Sequence, residues 1–367
     1  MAFALPLWLA VQKELLEQDQ SDPTCFDQFD DGALFLVFHL TRPCIAFITD
    51  ALRIGLKKNV SDKPELPADV MAMVALNYYA HGVSSPHLLH RVGQSQTDWP
   101  NIISTVSEVL AGMCDAFISF PLFHNARISV ASRIEKFCGI PNALGVLAPA
   151  HFRIRASPYE KDTFRSFLNT LGYTSVVSQL ICDSDGNILS VEKCCVGSTY
   201  EEDMWDSSIK GKEIEDGLHG QFWVIGGKGY NISEHVLTPV SEPANDKEIH
   251  FNKAHTKIQK VMRKTLGSMK RRFRCLMQLG FAHEGTLHKK GNIIKACCVL
   301  HNLAKKFSVP PPPVAGKIEP LHPSRWRTMP VEVNPEALKA RQEIIDDTFS
   351  SIFSSQDTSN KDTEEDA

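Results

Sequence analysis

The stretch NKAHTKIQKVMRKTLGSMKRRFRC, residues 252–275, sets the reading of the whole chain. From position 257 to 274 it holds eight cations, Lys257, Lys260, Arg263, Lys264, Lys270, Arg271, Arg272 and Arg274, and no acid. Val261, Leu266, Met269 and Phe273 recur at 3- to 5-residue spacing, which predicts a helix whose apolar stripe packs on a sheet. A solvated helix face usually mixes charge signs and pairs them at i,i+4. Here the sign is uniform, so the polar face is expected to meet phosphate groups.

Outward from that helix the charge is uneven. The net charge of −4 hides fourteen Lys or Arg against one acid, Glu284, over residues 251–306. Residues 357–367 hold five acids and one Lys. One anion-binding surface plus an acidic tail is the simplest reading of such a split. With 367 residues and 43% hydrophobic content, the chain can bury a large core and divide into more than one domain.

The ten cysteines include two adjacent pairs, Cys194–Cys195 and Cys297–Cys298, and no CxxC. That pattern fits reduced core thiols rather than a disulfide framework or a zinc site. The opening MAFALPLWLAVQKELLEQ has a short apolar part and no basic lead, so it reads as an amphipathic helix rather than a signal peptide. No uncharged apolar run reaches eighteen residues, and no membrane span is expected.

Residues 1–135 show helical spacing throughout. Helices are expected at 69–80, 87–92 and about 99–113, a spacing compatible with helix-turn-helix. Asp98, Glu108 and Asp115 would be poor groove readers, so a plain helical bundle is the preferred reading. From Gly139 the pattern changes to strands. The first is expected at 144–147 and 152–154, interrupted by Ala148, Pro149 and Ala150. Strands at 175–182 and 188–196 flank DSDGN, a hairpin signal, and 221–225 makes a short apolar strand. An apolar helix is expected at 292–306. Proline-rich sequence fills 309–335, one helix fits 336–353, and 354–367 has a disordered composition.

Five segments, in order, resemble the Harbinger-type transposases and the nucleases derived from them: FCGIPNALGVL (137–147), GSTYE (197–201), GGKGY (226–230), HTKIQKVMRKTLGSMKRRFRCL (255–276) and KACCVLHN (295–302). The resemblance implies an α/β fold, a ribonuclease H-like mixed sheet with flanking helices, preceded by an all-helical N-terminal domain. The expected domains are 1–135, 136–308 for the DDE-transposase-type part, and 309–367 for a largely disordered tail. In the family, three carboxylates hold two divalent ions that activate water and stabilise the leaving 3′ oxygen.

Carried over one by one, those carboxylate positions fall on Ala148, Gly227 and Arg263. A fixed cation a few ångströms from a divalent ion costs roughly several kcal/mol even at an effective dielectric near 20. The resemblance therefore implies a chain with no catalytic residue and no cofactor, which binds the DNA phosphate backbone through the eight cations. The enzyme reading keeps an Mg²⁺- or Mn²⁺-dependent endonuclease with relocated acids, Glu201, Glu202 and Asp203. The third reading is an interaction module, since the family works with a Myb/SANT-like DNA-binding partner. Nuclear residence follows from the resemblance, and KRRFR (270–274) is similar to a basic import signal. His151 and His255 fall on family histidines and are expected to be structural or site-wall residues.

Overall fold

The computed structural model describes residues 24–59, 66–83, 85, 87, 88, 99–280, 282, 286–313 and 334–349. In chain order, α1 (Asp31–Phe38), α2 (Arg42–Asn59), α3 (Ala68–His81), α4 (Trp99–Gly112), α5 (Cys114–Phe117) and α6 (His124–Cys138) lead into β1 (Ala143–Arg153). Next come α7 (Lys161–Phe167), β2 (Ser175–Cys182), β3 (Ile188–Val191) and β4 (Cys195–Val196). Then α8 (Glu201–Ser207), α9 (Ile209–Glu215), β5 (Trp223–Ile225) and β6 (Val236–Leu237) precede the long α10 (Asp246–Arg272). A 3₁₀ turn (Arg274–Met277), α11 (Leu287–Lys306) and α12 (Pro335–Phe349) follow.

The strands order as β3-β2-β1-β5-β6, with β4 on β2; β1, β2 and β3 pair antiparallel, while β1, β5 and β6 pair parallel. This is a mixed α/β sheet of the ribonuclease H-like kind. Its two faces carry separate cores. Val146, Ala150 and Phe152 of β1 join Ile258, Met262 and Leu266 of α10 and Cys297 of α11. Leu144 and Leu147 turn the other way, onto Trp205 of α8, Ile214 of α9 and Tyr230.

β1 corrects one expectation: it runs unbroken through Ala148, Pro149 and Ala150. The reason lies in the hydrogen-bond phase. Pro149 faces Gln179 across the antiparallel pair, and the Gln179 carbonyl accepts from Glu192 N–H, on the far side of β2. Pro149 therefore sits in a non-bonded pair, with its nitrogen aimed at the opposite edge. β5 pairs with β1 only as far as Val146, so that edge is open and the missing N–H costs no ladder bond.

The N-terminal helices are core elements. Met71 to Ala80 of α3 are all buried, and Ile102, Ile103, Val106, Val109 and Leu110 of α4 join the same core as α11. A helix buried all round offers no face to a DNA groove. Of the expected helix at 87–92, only 87 and 88 lie among the described residues, and both are helical. One apolar core continues from Phe26 and Tyr79 to Phe152, Cys297 and Phe349, and the expected boundary at 135/136 falls inside α6. Among the described residues no single helix is long and apolar enough to cross a membrane; the bent pair α1–α2 meets the test only jointly, and it is packed in this core. All ten cysteines are free thiols.

Two short polar devices fix the sheet's helices. In the β2–β3 hairpin, Asp183 Oδ1 accepts from the backbone N–H of Asp185 and Asn187, and Gly186 takes φ 79°. From α11, His301 Nε2 donates to Gly186 O (3.0 Å), and Asn302 brackets both backbone groups of Ile188 at 2.8 and 2.9 Å. The KACCVLHN segment is thus a clamp on the hairpin. The expected helix at 336–353 is α12, and it is docked on α10 rather than trailing. Phe349 stacks edge-to-face on Phe251 (6.0 Å), and Arg341 Nη1 bonds Thr238 O and Pro239 O at 3.3 and 3.2 Å. The expectations for 314–333 and 350–367 lie outside the described residues.

Burial gives the fold a pH dependence. His255 and His301 are each pushed down to about 4, chiefly because the charged ring would be desolvated. The unfolded chain protonates both near pH 6.5, so it binds more protons than the native state below that value. Stability is therefore expected to fall as pH drops from about 6.5 towards 4, by up to about 1.4 kcal/mol per pH unit for each histidine. Urea midpoints across this window check it. His255→Gln, whose amide still donates to the same carbonyl, should show a shallower fall than the wild type.

Candidate functional site

α10 is positioned by its own ends and edges. Asn245 caps it, accepting from Glu248 N–H, and Glu248 in turn reaches Ala244 N–H at 2.7 Å. Three side chains then anchor one edge of the helix to the sheet. His255 Nε2 donates to Gly226 O (2.8 Å), Gln259 Nε2 donates to Ile225 O (3.0 Å), and Lys270 Nζ donates to His151 O (2.9 Å). Ile225 is paired with Val146, so these anchors run from the end of β5 along the open edge of β1.

Arg263 follows Gln259 by one turn and precedes Lys270 by about two. It is exposed, on the stretch of α10 between the Gln259 and Lys270 anchors. Ala148 packs against the same core as Val146 and Ala150, on the face that α10 covers. Gly227 directly follows the carbonyl that holds His255. Ala148 on β1, Gly227 in the turn after β5 and Arg263 on α10 thus stand on elements that these anchors join.

The residues at these three positions do not fit a pair of divalent cations. None of the three is a carboxylate, and the neighbouring anchors Gln259 and Lys270 are spent on backbone carbonyls. Among the described residues no group of three or more His, Cys, Asp or Glu is arranged to hold a metal ion. The relocated acids do not assemble one. Glu201, Glu202 and Asp203 are consecutive in the first turn of α8, which fans them about 100° apart. α8 lies on the opposite face of the sheet from α10. Glu201 packs under Gly229, where an added Cβ would meet its Cδ at 2.7 Å, and burial raises its pKa. Glu202 is held up by desolvation and by Asp203 and Asp206. One half-buried carboxyl beside the turn cannot charge-balance two divalent ions.

The two histidines are structural. His255 bonds its carbonyl as a neutral ring. His151 Nδ1 pairs with Ser175 Oγ at 3.0 Å, and burial next to Lys270 pushes it down to about 4.

The basic residues divide into two groups. Lys257, Lys260, Arg263, Lys264 and Arg271 are exposed along α10, and Arg274 is exposed just after it. Lys257 also lies over the Phe137 ring at 5.0 Å, which ties the row to the end of α6. Two of the eight are corrections to the expected phosphate surface. Arg272 is buried at 6% exposure; its guanidinium donates to His39 O, Val309 O and Pro310 O. Lys270 is half-buried, bound to His151 O and lying over Phe152 at 5.3 Å. A run of like charge reads as one surface in sequence, yet 3.6-residue periodicity turns part of it inward. The exposed row also includes Lys253, which the spacing Lys253–Lys257–Lys260–Lys264 would have found.

Residues 150–302 match the family described as DDE superfamily endonuclease. The match covers the sheet from mid-β1 to the His301–Asn302 clamp, and the chain carries a domain of that class. Its curated relatives narrow the class. The chain is 27% identical over 324 residues to the Xenopus laevis protein named "Putative nuclease HARBI1", covering 88% of this chain and 92% of that one. It is 26% identical over 326 residues to the Homo sapiens protein of the same name, and 28% over 327 residues to that of Rattus norvegicus, with the same coverage. The chain is thus a homologue of these Harbinger transposase-derived proteins. No solved structure matches it.

Proposed function

We propose that this chain is a domesticated Harbinger transposase-like protein that binds duplex DNA through the exposed face of α10 and does not cut it. The observation that carries the reading is the exposed, acid-free row of cations along α10, with Arg263 among them, and it is joined by the absence of a carboxylate at Ala148, Gly227 and Arg263. Arg263 would serve the same electrostatic end as the divalent ions of related nucleases, by pairing with a phosphate oxygen. The cations give affinity and register rather than sequence preference. Nuclear residence and a Myb/SANT-like partner belong to the same reading. Pull-down with and without nuclease treatment separates a direct partner from a DNA-bridged one.

The test is a polarisation titration on duplex DNA over a salt series. Binding that weakens steeply with salt supports the reading, and no binding at 50 mM salt ends it. Plasmid nicking with Mg²⁺ or Mn²⁺, lost in Glu201→Ala, would instead favour the endonuclease reading.

The same reading predicts a gain of function. Gly227 does not occupy left-handed backbone, and an added Cβ there meets nothing within 4 Å, so a carboxylate fits without strain. β1 is continuous at Ala148. The triple variant Ala148→Asp, Gly227→Asp, Arg263→Glu is therefore expected to bind Mn²⁺ measurably by calorimetry where the wild type does not. Nicking should be weak, because catalysis needs placement to about 0.5 Å. A folded triple variant with no Mn²⁺ heat would mean that the three positions do not converge.

A further inference from the structure

α11 is closed before the first proline that follows it. Ser308 takes φ 51°, and the Val309 N–H bonds back to Ala304 O at 2.8 Å. That motif ends the helix by itself, so the four prolines after it, Pro310 to Pro313, are not needed as a stop. Each proline fixes its own φ, and each residue before a proline is driven to extended ψ. Val309, Pro310, Pro311 and Pro312 all precede a proline, and no peptide bond among the described residues is cis. The run is therefore a stretch of left-handed polyproline II helix, with three residues per turn.

Burial follows that period. Val309 and Pro312, one turn apart, are buried, whereas Pro310, Pro311 and Pro313 are exposed. One edge of the three-sided helix is thus laid on the protein, and the other two face solvent. Arg272 fixes its start, donating to Val309 O at 3.0 Å and to Pro310 O at 2.9 Å. Among the described residues no hydrogen bond engages the carbonyls of Pro311, Pro312 and Pro313. The exposed ridge from Pro310 to Pro313 is about 9 Å long, one turn of such a helix.

A ridge of this kind has no backbone N–H to offer, only flat apolar rings and carbonyl oxygens. Its complement is a groove with aromatic walls that pack on the rings and carry an N–H or O–H for the carbonyls. Lys305 and Lys306, in the last turn of α11, are exposed just upstream of the ridge, so an acidic rim fits beside that groove. We infer that Pro310 to Pro313 form a docking site for a partner protein whose aromatic-lined groove reads polyproline II helices. The ridge is already formed and held by Arg272, so docking orders little chain. Its stiffness, rather than any catalytic or phosphate-binding residue, makes it a recognition element.

The experiment titrates the full chain over an immobilised panel of purified SH3, WW and EVH1 domains. At least one domain should bind, and that domain's own proline-rich peptide should displace the chain. The variant Pro310→Ala, Pro311→Ala, Pro313→Ala changes only exposed positions and leaves the buried edge and the Arg272 contacts in place. It should keep the wild-type urea midpoint and weaken the binding at least about 10-fold. If its midpoint falls, displacement by the peptide from the wild-type complex decides instead. No binding by any domain of the panel overturns the inference. So does binding that a folded variant retains, or that the proline-rich peptide fails to displace.

Discussion

Arg272→Ala should be the most destabilising single change in the basic segment, costing on the order of 3–5 kcal/mol. The guanidinium ties His39, at the end of α1, to Val309 and Pro310, just after α11, with α10 between them. Truncation leaves three carbonyl oxygens without their donor, two of them, on His39 and Val309, in buried residues. Arg272→Lys should recover little, since one ammonium cannot span three carbonyls in the planar fork geometry. Urea denaturation followed by far-ultraviolet circular dichroism gives the measurement. A midpoint within experimental error of wild type would mean that the guanidinium is dispensable to the fold.

The second large effect is on binding. Lys257→Gln, Lys260→Gln, Arg263→Gln and Lys264→Gln, made together, should leave stability nearly unchanged, because all four side chains are exposed. On the reading above they remove up to four phosphate contacts. Each contact contributes about 0.9 to the slope of log K against log salt. The slope should therefore fall by about 3–4, and affinity at 50 mM salt should drop by about 10²- to 10³-fold. If affinity drops equally in a variant neutralised at Lys339 and Lys306, outside the row, then net charge rather than α10 accounts for binding.

Much of the sheet was readable because its signals are local. Alternating apolar runs, the DSDGN turn and the periodicity of 252–275 each act over fewer than thirty residues. The break expected at Pro149 was wrong for a non-local reason. Whether a missing N–H costs anything depends on which edge it faces, and that depends on where β5 stops. Arg272 and Lys270 were counted with the phosphate surface for a similar reason. Their partners, His39, Val309, Pro310 and His151, are far away in sequence, and nothing in a run of eight cations marks which ones turn inward. The site itself was legible in type but not in shape. Motif order placed Ala148, Gly227 and Arg263; only the anchors His255, Gln259 and Lys270 reveal how α10 lies along β1.

The most direct test of the central claim is one gel assay on supercoiled plasmid. The chain is incubated with DNA and Mn²⁺, and half of each sample is deproteinised before loading. The account predicts retarded plasmid in the untreated lanes and fully supercoiled plasmid in the deproteinised ones. Nicked or linear product, absent with chelator and absent in Glu201→Ala, would contradict it.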